Sequence, residues 1–154
     1  MQETELVKLL ISKGYTIASA ESCTAGLFAA TIVNVADASK VINSSVVTYS
    51  NEAKTKFAFV NPETIEKYNV VSENVAKEMA EGIAKQCEAN IGVGITGLAG
   101  PGGGTEELPV GTVCFGLSIN GNTITYKQVF SGDRQQVRYA SVDFAITKLI
   151  ELLK

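Results

Sequence analysis

Histidine is absent from all 154 residues. Every mechanism with an imidazole base is thereby excluded, the Ser-His-Asp arrangement included, so a catalytic serine here must draw its base from another residue type, lysine foremost. Cysteine is scarce: Cys23, Cys87 and Cys114 are odd in number and widely spaced, with no CxxC pair. Without histidine they form neither a disulfide framework nor a zinc site, so no metal is expected and a reducing cytoplasm is the simplest compartment. No apolar run approaches the ~18 residues of a membrane span. Met1–Leu10 mixes Glu3, Glu5 and Lys8 with its apolar residues, unlike a signal peptide. Basic residues are few as well, 13 Lys and Arg against 16 Asp and Glu, with net charge −3. A phosphate-binding surface for nucleic acid needs clustered cations, so neither nucleic acid nor membrane is an expected partner.

What is present fills one core. An apolar content of 45% over residues 1–154, with no linker, repeat or low-complexity tract, predicts a single domain. Leu6, Leu9 and Leu10 carry helical spacing up to Gly14, and Tyr15 to Ala20 reads as a buried strand. Thr24 to Val35 is apolar on nearly all sides and predicts a packed helix whose N-terminus follows Ser22 directly. Ser45 to Ser50 predicts a second strand, and a helix capped by Asn51 then places Lys54 in its first turn. Val75, Met79, Ala80, Ile83 and Ala84 mark one face of a helix capped near Ser72, and Ile91 to Thr96 a third strand. The glycine-rich stretch from Gly97 to Pro109 predicts a long functional or mobile loop. Val110–Ile119 and Thr123–Phe130 predict a hairpin turning at Asn120-Gly121. A final helix from about Arg134 to Leu153 has Asp133 or Ser131 as its cap. The order α-β-α-β-α-α-β-β-β-α implies a mixed sheet covered by helices.

Chemistry can reside at few places. Ser22 stands where a strand meets a helix, with the N–H groups of Cys23 and Thr24 beside it to hold an oxyanion; the same position suits a plain N-cap serine. Lys54, near a helix N-terminus, meets the positive end of the macrodipole, which favours the neutral amine that a serine needs as base; otherwise it is a solvated surface lysine. Tyr49 either presents its phenol beside this pair or packs in the core. Successive N–H groups from Gly97 to Gly104 suit an anion, although the Walker lysine is missing. Gly92-Val93-Gly94-Ile95-Thr96-Gly97 matches G-x-G-x-x-G by letter, but no helix follows it, so it is not a dinucleotide fingerprint. Arg134 and Arg138 lie one helical turn apart and either fork around one phosphate or stand exposed.

Taken together, Glu21-Ser22-Cys23-Thr24-Ala25-Gly26, Tyr49-Ser50-Asn51-Glu52-Ala53-Lys54, Gly94-Ile95-Thr96-Gly97-Leu98-Ala99-Gly100-Pro101 and Phe130-Ser131-Gly132-Asp133-Arg134 closely resemble the C-terminal domain of the CinA family. Four motifs in the right order are far more specific than any one. The resemblance implies an α/β, three-layer α/β/α sandwich with a mixed, mostly parallel sheet of about five to six strands. It further implies a nicotinamide-nucleotide amidase that cleaves nicotinamide mononucleotide to nicotinate mononucleotide and ammonia, with no cofactor. Carried over by position, Ser22 is the nucleophile and Lys54 its general base, Tyr49 and Thr96 support them, and Cys23, Thr24 and Gly26 surround the oxyanion. Gly97 and Gly100 lie on the substrate side, with Arg134 or Arg138 on its phosphate. The family more often has glycine where Ala25 stands, and a methyl group there is expected to narrow the approach to the backbone donors. Longer relatives carry a further N-terminal domain, so the chain reads as a stand-alone form. The alternatives are a catalytically silent nucleotide-binding or regulatory module and a scaffold in competence or damage responses. Edge strands leave room for a homo-oligomer.

Overall fold

The computed structural model describes residues 1–154, and its element order follows the expected one with one helix added. Helix α1 spans Gln2–Lys13 and ends where Gly14 takes the left-handed conformation that a β-carbon disfavours. Strand β1 (Ile17–Glu21) is buried along its whole length, as a central strand covered on both faces must be. Helix α2 (Leu27–Val33) begins later than expected, and a short 3-10 turn at Ala38–Lys40 precedes strand β2, Ile42–Val47. Helix α3 spans Asn51–Ala58; its cap is Ser50, whose hydroxyl accepts the Ala53 N–H, so Asn51 is the first helical residue and not the cap. Helix α4 (Pro62–Tyr68) is the addition. Its signals, an Asn61 cap and proline at the first helical position, are both in the sequence. Helix α5 (Glu73–Gln86) is capped by Ser72 as expected. Strand β3 (Ile91–Gly97) is followed by the glycine-rich loop, then by β4 (Thr112–Ile119) and β5 (Asn122–Val129). Asn120 and Gly121 both have positive φ, as the expected hairpin turn requires. Helix α6 (Arg134–Leu153) starts in a capping box of Asp133 and Gln136.

The sheet order is β2-β1-β3-β4-β5. β1 pairs in parallel with β2 and β3, and β4 is antiparallel to both β3 and β5, so four of the five strands run one way. Helices α1, α2 and α6 cover one face; α3, α4 and α5 cover the other. The first face holds the larger core, in which Ile91, Val93, Ile95, Phe115 and Leu117 meet Leu6, Phe28, Val142, Ile146 and Leu149. On the opposite face the sheet presents Gly92, Gly94 and Gly116, where any β-carbon would strike the Ala76 or Ala80 carbonyl of α5. The G-x-G-x-x-G match is therefore a packing device: it lets α5 lie directly on the strands.

The chain leaves β1 for α2 on one face and returns to β3 from α5 on the other. The carboxyl ends of β1, β2 and β3 thus open onto a crevice at the point where strand order reverses. No helix is long and apolar enough to cross a membrane.

Candidate functional site

Ser22 follows the last residue of β1, and its N–H donates to Ile95 O at the end of β3. It does not cap α2. Residues 22–27 instead form two overlapping turns, closed by Ala25 N–H to Ser22 O and by Leu27 N–H to Thr24 O. Ala25 (φ 48°) and Gly26 (φ 93°) supply the positive φ of the second turn. The Ala25 side chain is exposed, so it does not narrow the approach to the backbone donors. Its methyl group bears instead on left-handed backbone, which glycine adopts without cost.

Glu21 holds this turn from inside the protein. Its fully buried carboxylate accepts from Thr24 Oγ1 at 2.7 Å, from the N–H groups of Phe28 and Ala29 at 2.9 and 3.1 Å, and from Ser19 Oγ at 3.1 Å. A buried carboxylate so supplied with donors is tolerated without a cation. Sequence reasoning quoted Glu21 but gave it no role; a charged residue closing an otherwise apolar strand was the available signal.

Lys54 is 1% exposed, which removes the surface-lysine reading. Its Nζ lies 3.1 Å from Ser22 Oγ, 8% exposed, and 2.8 Å from Thr48 O. No carboxylate pairs with it. Burial pushes the amine below its ordinary value of 10.5, against a small opposing influence of the Cys23 thiol. Desolvation, rather than the helix macrodipole invoked from sequence, is thus the main cause. The Cys23 thiol is pushed up to about 11 by burial, and Lys54 makes its hydrogen bond to the neighbouring Ser22 hydroxyl. All three cysteines are free.

A cavity of about 220 Å³ opens above the pair. Of the residues singled out from sequence, Ser22, Cys23, Tyr49, Lys54, Thr96, Gly97, Gly100 and Arg134 line it. Val70, Val71, Leu98 and Ala99 form an apolar wall; Leu98, Ala99 and Gly102 belong to the loop singled out from sequence, whereas Val70, Val71 and Asn51 had been given no place at the site. Nothing in the sequence marks Val70 and Val71, which join α4 to α5 and reach the site only through tertiary packing. The N–H group of Cys23 meets only its own thiol, and those of Thr24, Ala99, Gly100 and Gly102 have no main-chain acceptor.

Other expected residues stand elsewhere. Thr24 does not line the cavity, because its hydroxyl is turned to Glu21; Gly26 precedes α2 and serves the turn. Thr96 donates to Val70 O at 3.0 Å and anchors the apolar wall. Tyr49 is not in the core: it lines the same cavity as Ser22 and Lys54, is 58% exposed, and its hydroxyl accepts from Arg134 Nη2 at 2.9 Å. Arg134 also donates through Nη1 to Gly100 O at 2.6 Å, bracing the glycine-rich loop at the mouth. Arg138 does not share its target. Its Nε and Nη2 each lie 2.9 Å from a carbonyl, those of Cys23 and Thr24 respectively, so the two arginines do not fork around one point.

A buried lysine amine beside a serine hydroxyl, with main-chain N–H donors next to the serine, is suited to acyl transfer. A putative competence-damage inducible protein of Alkaliphilus oremlandii is 47% identical over 152 residues, covering 99% of this chain and 36% of that protein. One from Clostridium perfringens is 54% identical over 131 residues, covering 85% and 32%. The chain thus spans about a third of the length of these relatives. Among solved structures, a CinA superfamily protein of Klebsiella pneumoniae superposes with a TM-score of 0.96 at 38% identity, covering 99% of this chain and 95% of that one. An Escherichia coli member of the superfamily gives 0.95 at 36% identity, covering 98% and 88%. The model of the CinA C-terminal domain matches residues 1–153, and the chain belongs to that family.

Proposed function

We propose that the chain is an amidohydrolase acting on the carboxamide of nicotinamide mononucleotide, with Ser22 as nucleophile and Lys54 as general base. The observation that carries this reading is the buried, unpaired Lys54 amine 3.1 Å from Ser22 Oγ beneath an open cavity. A neutral amine has one lone pair and two N–H groups. The lone pair takes the Ser22 proton while Thr48 O receives an N–H. Ser22 Oγ adds to the amide carbon, and the N–H group of Cys23, a residue that lines the cavity, receives the oxyanion. The proton on Lys54 passes to the leaving nitrogen, ammonia departs, and water hydrolyses the acyl-serine to free the acid and restore the hydroxyl. The positively charged pyridinium ring favours attack by withdrawing electrons from the amide.

Arg134 at the cavity mouth uses two of its five N–H donors within the chain, which leaves donors for a phosphate. The apolar wall of Val70, Val71, Leu98 and Ala99 suits an aromatic ring.

The test is ammonia release from nicotinamide mononucleotide measured beside nicotinamide riboside. The expected result is turnover of the phosphorylated compound, lowered by ~10³-fold or more in Ser22→Ala and in Lys54→Ala alike, since groups acting as a unit are not additive. Tight binding without ammonia release would select a silent nucleotide-binding module instead. Full activity in either variant would reject the dyad.

A further inference from the structure

The two contacts of Arg138 fall on the one segment that carries the main-chain N–H group the proposed reaction needs. Nε meets Cys23 O and Nη2 meets Thr24 O. Only the Gly100–Pro101 peptide is cis, so each peptide here directs its N–H opposite to its carbonyl. Holding Cys23 O therefore aims the Thr24 N–H away from Arg138. Holding Thr24 O orients the Ala25 N–H, which closes onto Ser22 O. That bond in turn fixes the Ser22–Cys23 peptide and with it the Cys23 N–H. The N–H of Cys23, which lines the cavity beside the nucleophile, is thus set through the turn by one guanidinium.

The charge is also committed there, since Arg138 makes no ion pair. From the other side Glu21 grips Thr24 Oγ1 and the start of α2, so the turn is clamped between a buried anion and a cation.

We infer that Arg138 is a positioning residue that aligns the turn carrying the main-chain oxyanion donor next to Ser22, and does not bind the substrate phosphate. This inference rests on the hydrolase reading of the same site. It predicts a loss in turnover, because that donor acts on charge that develops only in the transition state.

The experiment compares wild type, Arg138→Lys and Arg138→Ala in two assays: steady-state ammonia release from nicotinamide mononucleotide, and the rate at which a fluorophosphonate labels Ser22. Labelling needs the same hydroxyl and the same donor, but no particular substrate. The expected result for Arg138→Ala is a kcat lower by ~10²-fold, a KM within about threefold of wild type, and a parallel fall in labelling. Added guanidinium ion is expected to restore part of both rates. Arg138→Lys keeps the aliphatic stem and one donor, and its rates are expected to lie in between. It carries the test if the alanine variant does not fold. Unchanged kcat with only a lower Tm would overturn the inference. So would a KM raised for the mononucleotide and not for the riboside. If wild type released no ammonia while labelling still depended on Arg138, the substrate reading would fall and the positioning role would stand.

Discussion

Lys54 is an amine deprived of water and of any anion, and both of its hydrogen-bond partners are uncharged oxygens. Its ionisation is therefore the property most sensitive to pH. As a base it works only when neutral, so kcat/KM is expected to rise with pH and level off above its lowered pKa, below 10.5. Folding is linked with a definite sign: between that lowered value and 10.5 the unfolded chain binds the extra proton, so stability rises with pH across this window. Chemical denaturation across a pH series is expected to show this rise in wild type and to lose it in Lys54→Met. An identical slope in the two proteins would mean that the amine is charged in the folded state.

At the scale of elements, strands β3 and β4 give up side chains on one face so that α5 can approach. Gly94 and Gly116 are register partners, and a β-carbon on either would meet main-chain atoms of α5. Main-chain atoms cannot swing aside as a side chain can. Gly94→Ala is accordingly expected to destabilise the fold by about 2–3 kcal/mol, read as a lower urea midpoint with unchanged slope. Gly102→Ala, whose β-carbon would meet nothing within 4 Å, is expected to shift stability by less than about 0.5 kcal/mol. Four of the five strands, the hairpin and four of the six α-helices follow closely from periodicity and caps, whereas β2, expected at Ser45–Ser50, lies three residues earlier at Ile42–Val47. The expected helix at Thr24 missed the turn that precedes α2, because apolar residues continue through it. Helix α4 has only seven residues, none fully buried, so it lacks an apolar stripe to reveal it.

The whole molecule assembles the site from segments far apart in sequence: the end of β1, the start of α3, the loop after β3 and the first turn of α6. Arg134 ties three of these, linking α6 to Tyr49 and Gly100. On the proposed reaction Arg134→Ala is expected to raise KM for nicotinamide mononucleotide by roughly 10-fold or more, with a smaller change in kcat, since a phosphate contact acts in ground and transition states alike. An unchanged KM in steady-state ammonia release would put the phosphate elsewhere.

The linear chain determined the absence of an imidazole base, the strand and helix periods, and the motifs that placed Ser22 and Lys54 in one family pattern. Those properties are local, or survive as short strings of residue types. The burial of Lys54 was decided only by the packing of α3 over the end of β1, because desolvation is a property of surroundings. The parting of Arg134 from Arg138 was decided the same way. One helical turn separates them in sequence, yet one side chain spans to the glycine-rich loop and the other to the turn after Ser22. Long side chains take whichever acceptors the fold brings within reach, and helical spacing alone cannot name them.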